Sequence, residues 1–147
     1  MGRVQELWAA GEMPFGDALY RPDDTGLALR VEGPGAYHPE AGRPIPLRVG
    51  GPVDVARIIA EDGTLEADPC FGSPLPDGSG HLAGGGGGMG NIGHLARLAP
   101  DGALCWVAVM YLSNPFVSVR FEGSRAVFTN DWRNLLTLDL AAPPFAP

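Results

Sequence analysis

The segment Leu104-Cys105-Trp106-Val107-Ala108-Val109-Met110-Tyr111-Leu112 contains no charge, no glycine and no proline. Odd and even positions are apolar alike, so an extended chain here presents two apolar faces and needs cover on both. Nine residues are few for a buried helix, and Trp106, Val107, Val109 and Tyr111 favour extended backbone. The segment reads as a central strand. Turn signals bracket it, Pro100-Asp101-Gly102 before and Ser113-Asn114-Pro115 after.

The surroundings extend that reading into a sheet. His94-Leu95-Ala96-Arg97-Leu98 is expected to pair with the central strand through the Asp101-Gly102 turn. Phe116 to Phe121 alternates, with Val117, Val119 and Phe121 on one face and Ser118 and Arg120 on the other. Glu122-Gly123 turns the chain into Arg125–Thr129, and the connection 130–134 leads to a last strand, Leu135–Leu140. Residues 94–140 are thus expected to form one antiparallel meander, and the proline-rich 141–147 an extended tail.

Residues 1–93 carry weaker signals. Residues 4–10 read as a short helix ended by Gly11 and Pro14, and Pro14–Pro22 as an irregular segment. After an Asp23-Asp24-Thr25-Gly26 turn, Leu27–Glu32 alternates as a half-buried strand. Gly33–Pro44 is loop, and Pro46 places Ile45–Val49 at a sheet edge. Pro52 to Gly63 is the one main helix, with Val53, Ala56, Ile59 and Ala60 on a single stripe that suits one face of a sheet. Thr64–Asp68 reads as a further short strand. Pro69–Gly93, with its glycine run Gly84–Gly88, reads as a long loop of the kind that is functional or disordered. The expected fold is α+β: a single domain over 1–147 with an antiparallel sheet, one helix packed on it and a long Gly-rich loop.

Composition narrows the function. No apolar run approaches the roughly 20 residues of a membrane helix, and the first residues lack the apolar core of a secretory signal, so a cytoplasmic location is expected. All ten basic residues are arginine, and the net charge is −7. That balance disfavours direct nucleic-acid binding, which needs basic residues in excess, and suits a basic protein partner. Cys70 and Cys105 are expected as free thiols, the first accessible and the second in the central strand.

Gly88-Met89-Gly90-Asn91-Ile92-Gly93 spells G-x-G-x-x-G, but a dinucleotide site requires a helix after it, and His94–Leu98 alternates as a strand. His38, His81 and His94 have no partner at metal-ligand spacing, so neither metal nor cofactor is expected. The acids Asp23, Asp24, Glu61, Asp62, Asp77 and Asp131 gather in connections. Trp132 lies in a polar turn between Asp131 and Arg133, and a large aromatic there is either folded back on the core or exposed as a contact.

One set of residues resembles a known group. Gly93, Leu98, Asp101-Gly102, Leu104, Trp106-Val107, Ser113-Asn114-Pro115-Phe116, Gly123, Ala126, Phe128, Asn130 and Leu138-Asp139-Leu140 together look like the pattern of small bacterial immunity proteins. The resemblance covers the last third of the chain. It implies a non-catalytic inhibitor that occludes the active site of one cognate, basic toxin domain, a nuclease or nucleic-acid deaminase. For that contact the expected residues are Asp23, Asp24, Asp77, His81, Asp131, Trp132 and Arg133. Two other readings stay open from the residues: a small hydrolase or transferase using Cys70 or a histidine beside the glycine loop, and a ligand-binding domain with that loop as a lid.

Overall fold

The computed structural model describes residues 2–32, 40–88 and 90–147. Most of the loop expected at Gly33–Pro44, including His38, and Met89 of the G-x-G-x-x-G stretch lie outside the described residues. The chain order is α1 (Arg3–Ala9), β1 (Glu12–Pro14), β2 (Ala18–Tyr20), β3 (Gly26–Val31), β4 (Leu47–Pro52), α2 (Val55–Asp62), β5 (Thr64–Pro74), β6 (His81–Gly87), β7 (Gly93–Leu98), β8 (Leu104–Met110), β9 (Phe116–Glu122), β10 (Arg125–Asn130) and β11 (Leu135–Asp139). Eight strands form one antiparallel sheet in the order β1-β5-β6-β7-β8-β2-β3-β4, and three form another, β11-β10-β9.

The central strand is β8, paired with β7 on one side and β2 on the other. Its two apolar faces are covered as their chemistry requires. Trp106, Ala108 and Met110 point into a core shared with Phe116, Ala126, Phe128, Leu136 and Leu138 of the small sheet. Val107 and Val109 point the other way, into a second core with Val4 of α1, Met13 of β1 and Val55 of α2. The layers are therefore helices, large sheet, small sheet.

Five expectations are corrected. Residues 94–140 are not one meander, because the turn 111–115 carries the chain out of the large sheet and β9–β11 pack across its face. The short helix expected at 4–10 is α1, but the main helix expected from Pro52 to Gly63 is α2, only eight residues long against seven for α1. Pro52 belongs to β4, and α2 starts instead at Asp54, whose side chain accepts from Arg57 N at 3.1 Å as an N-cap. Only Val55 of α2 is buried. In β9, Thr129 faces Ser118 while Asn130 faces Phe116, leaving Val117 as a bulge. The bulge flips the alternation, so Val119 and Phe121 pack on the core and Val117 turns out to solvent.

The fourth correction is the largest. Pro69–Gly93 is not a structureless loop: it holds the end of the eleven-residue β5, all of β6 and the start of β7. Gly84, Gly85, Gly86 and Gly87 are buried in mid-sheet. Neighbours fill the space their side chains would take. A Cβ on Gly84 would lie 2.5 Å from the Phe71 ring, and one on Gly87 2.7 Å from Leu65 Cδ1 and 2.9 Å from Met13 Cε. The strands on either side of the G-x-G-x-x-G stretch, β6 and β7, pair with each other antiparallel, so a strand and not a helix follows it.

The tail is corrected too. Residues 141–147 fold back across the core edge, with Phe145 buried against Trp106 at 5.7 Å between ring centroids. Three donors from three strands or turns hold their carbonyls. Trp106 Nε1 donates to Phe145 O at 3.0 Å, Arg97 Nη1 to Phe145 O at 3.1 Å and to Leu140 O at 2.8 Å, and Arg21 Nη2 to Pro144 O at 2.6 Å.

Candidate functional site

The seven residues expected at a contact surface do not share one place. Strand direction sends the β2–β3 turn, with Asp23 and Asp24, and the β5–β6 turn, with Asp77 and His81, to one end of the large sheet. The β10–β11 turn, with Asp131, Trp132 and Arg133, lies at the other end beside the 111–115 connection.

At the first end the acids serve the fold. Asp23 Oδ1 accepts from Thr25 Oγ1 at 2.6 Å and Thr25 N at 3.1 Å, and these bonds hold its carboxyl below the usual range. Asp24, at φ 66, reaches back to the start of α1 and accepts from Arg3 N and Val4 N, both at 2.9 Å. Gly2 at the N-cap has no side chain to do this, so Asp24 caps the helix from a distance. Asp77 repeats the Asp23 arrangement with Ser79, at 2.6 Å to the hydroxyl and 2.9 Å to N, and is held low for the same reason. His81 is exposed at the first position of β6.

The second end is built differently. Asn130, fully buried, accepts at Oδ1 from Trp132 N at 3.0 Å and Asn134 N at 2.9 Å, and donates from Nδ2 to Ser113 O at 2.8 Å. Asp131 N donates to Pro115 O at 2.9 Å, and buried Asn134 Oδ1 accepts from Arg43 N at 3.1 Å. Arg133 sits at φ 63 to close the turn. Two loops and the segment 40–45 are thereby locked together through buried amides. On this mount Trp132 is 46% exposed and Leu112, on the adjoining connection, 47% exposed. Trp132 is therefore exposed rather than buried in the core. Burial pushes the Asp131 carboxyl up.

The candidate catalytic groups are scattered. Cys70 is exposed at a bulge in β5, Cys105 is partly buried in β8, and both are free thiols. Among the described residues no group of three or more His, Cys, Asp or Glu is placed to hold a metal ion. His94 is buried on the helix side of β7, with Nδ1 at 2.7 Å from Gly86 O and its ring edge-on to Trp8. Burial lowers its pKa from the ordinary 6.5, although the Gly86 bond and nearby Asp68 oppose this.

The pH consequence has a definite sign. Below about pH 6.5 the unfolded chain takes up a proton at His94 that the folded chain resists, so stability is expected to fall between pH 7 and pH 5. Denaturant titrations at the two pH values check this. His94→Gln should flatten the difference, and an unchanged difference would assign it to other groups.

Sequence reasoning missed one group here. Arg97 is 4% exposed, a cation between the two sheets. Its position two residues after Leu95 in an alternating strand already places it on Leu95's face. Among the described residues no helix is long and apolar enough to cross a membrane. No family model, no curated protein and no solved structure matches this chain.

Proposed function

We propose that this chain is a non-catalytic binding protein, an immunity protein that neutralises a basic bacterial toxin domain by covering its active cleft. The observation that carries the reading is the mount of Trp132. Trp132, nearly half exposed, is held on a turn whose backbone is fixed by Asn130 and Asn134. A fixed aromatic loses little freedom on docking, which is why such residues dominate binding energy at interfaces. The net charge of −7 supports a basic partner, attracted by the whole molecule's field. Asp23, Asp24 and Asp77 contribute to that field only at a distance, since they stand at the opposite end from Trp132.

Binding kinetics against a basic toxin domain encoded beside this chain test the proposal. Trp132→Ala is expected to speed dissociation at least tenfold with little change in association. Raising salt from about 0.1 M to 1 M, where the screening length shrinks from about 10 Å to 3 Å, should slow association several-fold. Salt-indifferent association would remove the electrostatic part. A folded toxin that forms no complex at any salt would remove the immunity reading itself.

A further inference from the structure

The guanidinium of Arg97 offers five N–H donors in a rigid fork. Nη1 is fully used on the carbonyls of Leu140 and Phe145. Nη2 makes one long contact, 3.4 Å to Ser79 Oγ. Nε is buried and has no acceptor among the described residues. Nε and Nη2 together form the edge with which an arginine grips a carboxylate through two parallel bonds. A buried charge with a donor unmatched is costly, and Arg97 is also part of the lining of a pocket.

That pocket has a volume of about 350 Å³ and is walled by Leu75, Phe121 and Leu140, with Asp77, Ser79 and Ser124 as polar lining. Asp77 is close enough for its charge to be felt by Arg97, yet its Oδ1 is bonded to Ser79 and no hydrogen bond joins it to the guanidinium. The pocket is thus polarised, positive at its base and negative on the turn beside it. A doubly charged anion such as phosphate would meet Asp77, whereas a carboxylate carrying its own ammonium would satisfy both.

We infer that this pocket binds a small zwitterionic carboxylate of the α-amino-acid class, its carboxylate on the Nε/Nη2 edge of Arg97 and its ammonium toward Asp77. An entering carboxylate oxygen replaces the 3.4 Å Ser79 contact on Nη2, and the guanidinium, whose Nε is closed to solvent, shifts to give Nε the acceptor it lacks. The site is independent of the Trp132 surface, which lies at the other end of the sheets.

The test reads the Nε–Hε NMR signal of Arg97 during titration with glycine, acetate and inorganic phosphate. The signal is assigned by its absence in Arg97→Lys, which keeps the charge and loses the fork. Glycine is expected to move it saturably, at concentrations several-fold below acetate, with phosphate weakest. Asp77→Asn should bring glycine and acetate together. Because Arg97→Lys also disturbs the tail clamp, a second variant, Ser124→Phe, fills the pocket from the β9–β10 turn and leaves the clamp alone. It should abolish the glycine response in a protein that stays folded. No saturable movement with glycine or acetate would overturn the site, as would an undiminished response in Ser124→Phe. Phosphate binding more tightly than either would overturn the carboxylate assignment.

Discussion

Replacing Trp106 with alanine is expected to destabilise the protein by about 3–5 kcal/mol, measured as a shift of the urea midpoint at constant slope. The side chain is fully buried at the middle of β8, on the face that packs against the small sheet. It also carries two further duties. Its ring packs edge-on against Phe145, and its Nε1–H donates to the Phe145 carbonyl. Removal leaves a cavity and loosens the returning tail in one step. Trp106→Phe separates the terms: it keeps most of the volume and gives up the hydrogen bond, for which about 1 kcal/mol is the ordinary cost. A loss under about 1 kcal/mol for the alanine variant would mean that the two sheets close over the gap.

Gly85→Ala is expected to be nearly as damaging, at about 3 kcal/mol or more, although it adds only one methyl group. Its Cβ would stand 2.0 Å from Asp68 O and 2.7 Å from Cys70 N. Both are backbone atoms of the β5 bulge, where register shifts between Pro69 and Phe71, so no rotamer change relieves the clash. The strands must part or the bulge must move. Gly88→Ala is the control, since nothing lies within 4 Å of a Cβ there, and its effect should stay within about 0.5 kcal/mol. Equal effects at the two positions would show that generic glycine entropy, not close approach, explains the tract.

The contrast between these two substitutions explains what could be read from residues alone. The strands built from apolar side chains, β7, β8, β10 and β11, are legible, β8 because its unbroken apolar run needs cover on both faces and β7 because its sequence alternates. β6 is illegible by the same test. Its glycines have no side chains, and the volume beside them belongs to Phe71, Leu65 and Met13, two of them far away in the chain. Three-residue strands such as β1 and β2 are too short to show a period. The bulge at Val117 shows a different limit, since an extra residue reverses every later position and no periodic template anticipates it. At the candidate site, Trp132 stood out as an aromatic in a polar turn. Its mount did not, because Asn130 and Asn134 look like ordinary turn residues until Ser113 and Arg43 arrive to complete their bonds. Asp23, Asp24 and Asp77 read as free surface charge for the complementary reason, as their local and distant backbone donors leave no trace in composition.

The place of β2 in the large sheet has a consequence for how the molecule comes into being. Among the described residues β3 and β4 join the sheet through β2, and β2 joins it by pairing Ala18, Leu19 and Tyr20 with Val109, Ala108 and Val107. The link is reinforced by Asp17 Oδ1, which accepts from Tyr111 N, 94 positions further along. During synthesis the first fifty residues therefore leave the ribosome well before the strand that must receive them. Contacts of such separation carry a large loop-closure cost and slow the search for the native state. While that search lasts, the edge of β2 that pairs with β8 stays open, and an exposed unpaired strand edge is a site for aggregation. A rearranged gene that moves residues 1–52 behind β11, if the ends can be joined, would deliver β8 first and its neighbour afterwards. For this architecture the order in which the strands appear is itself a determinant of yield.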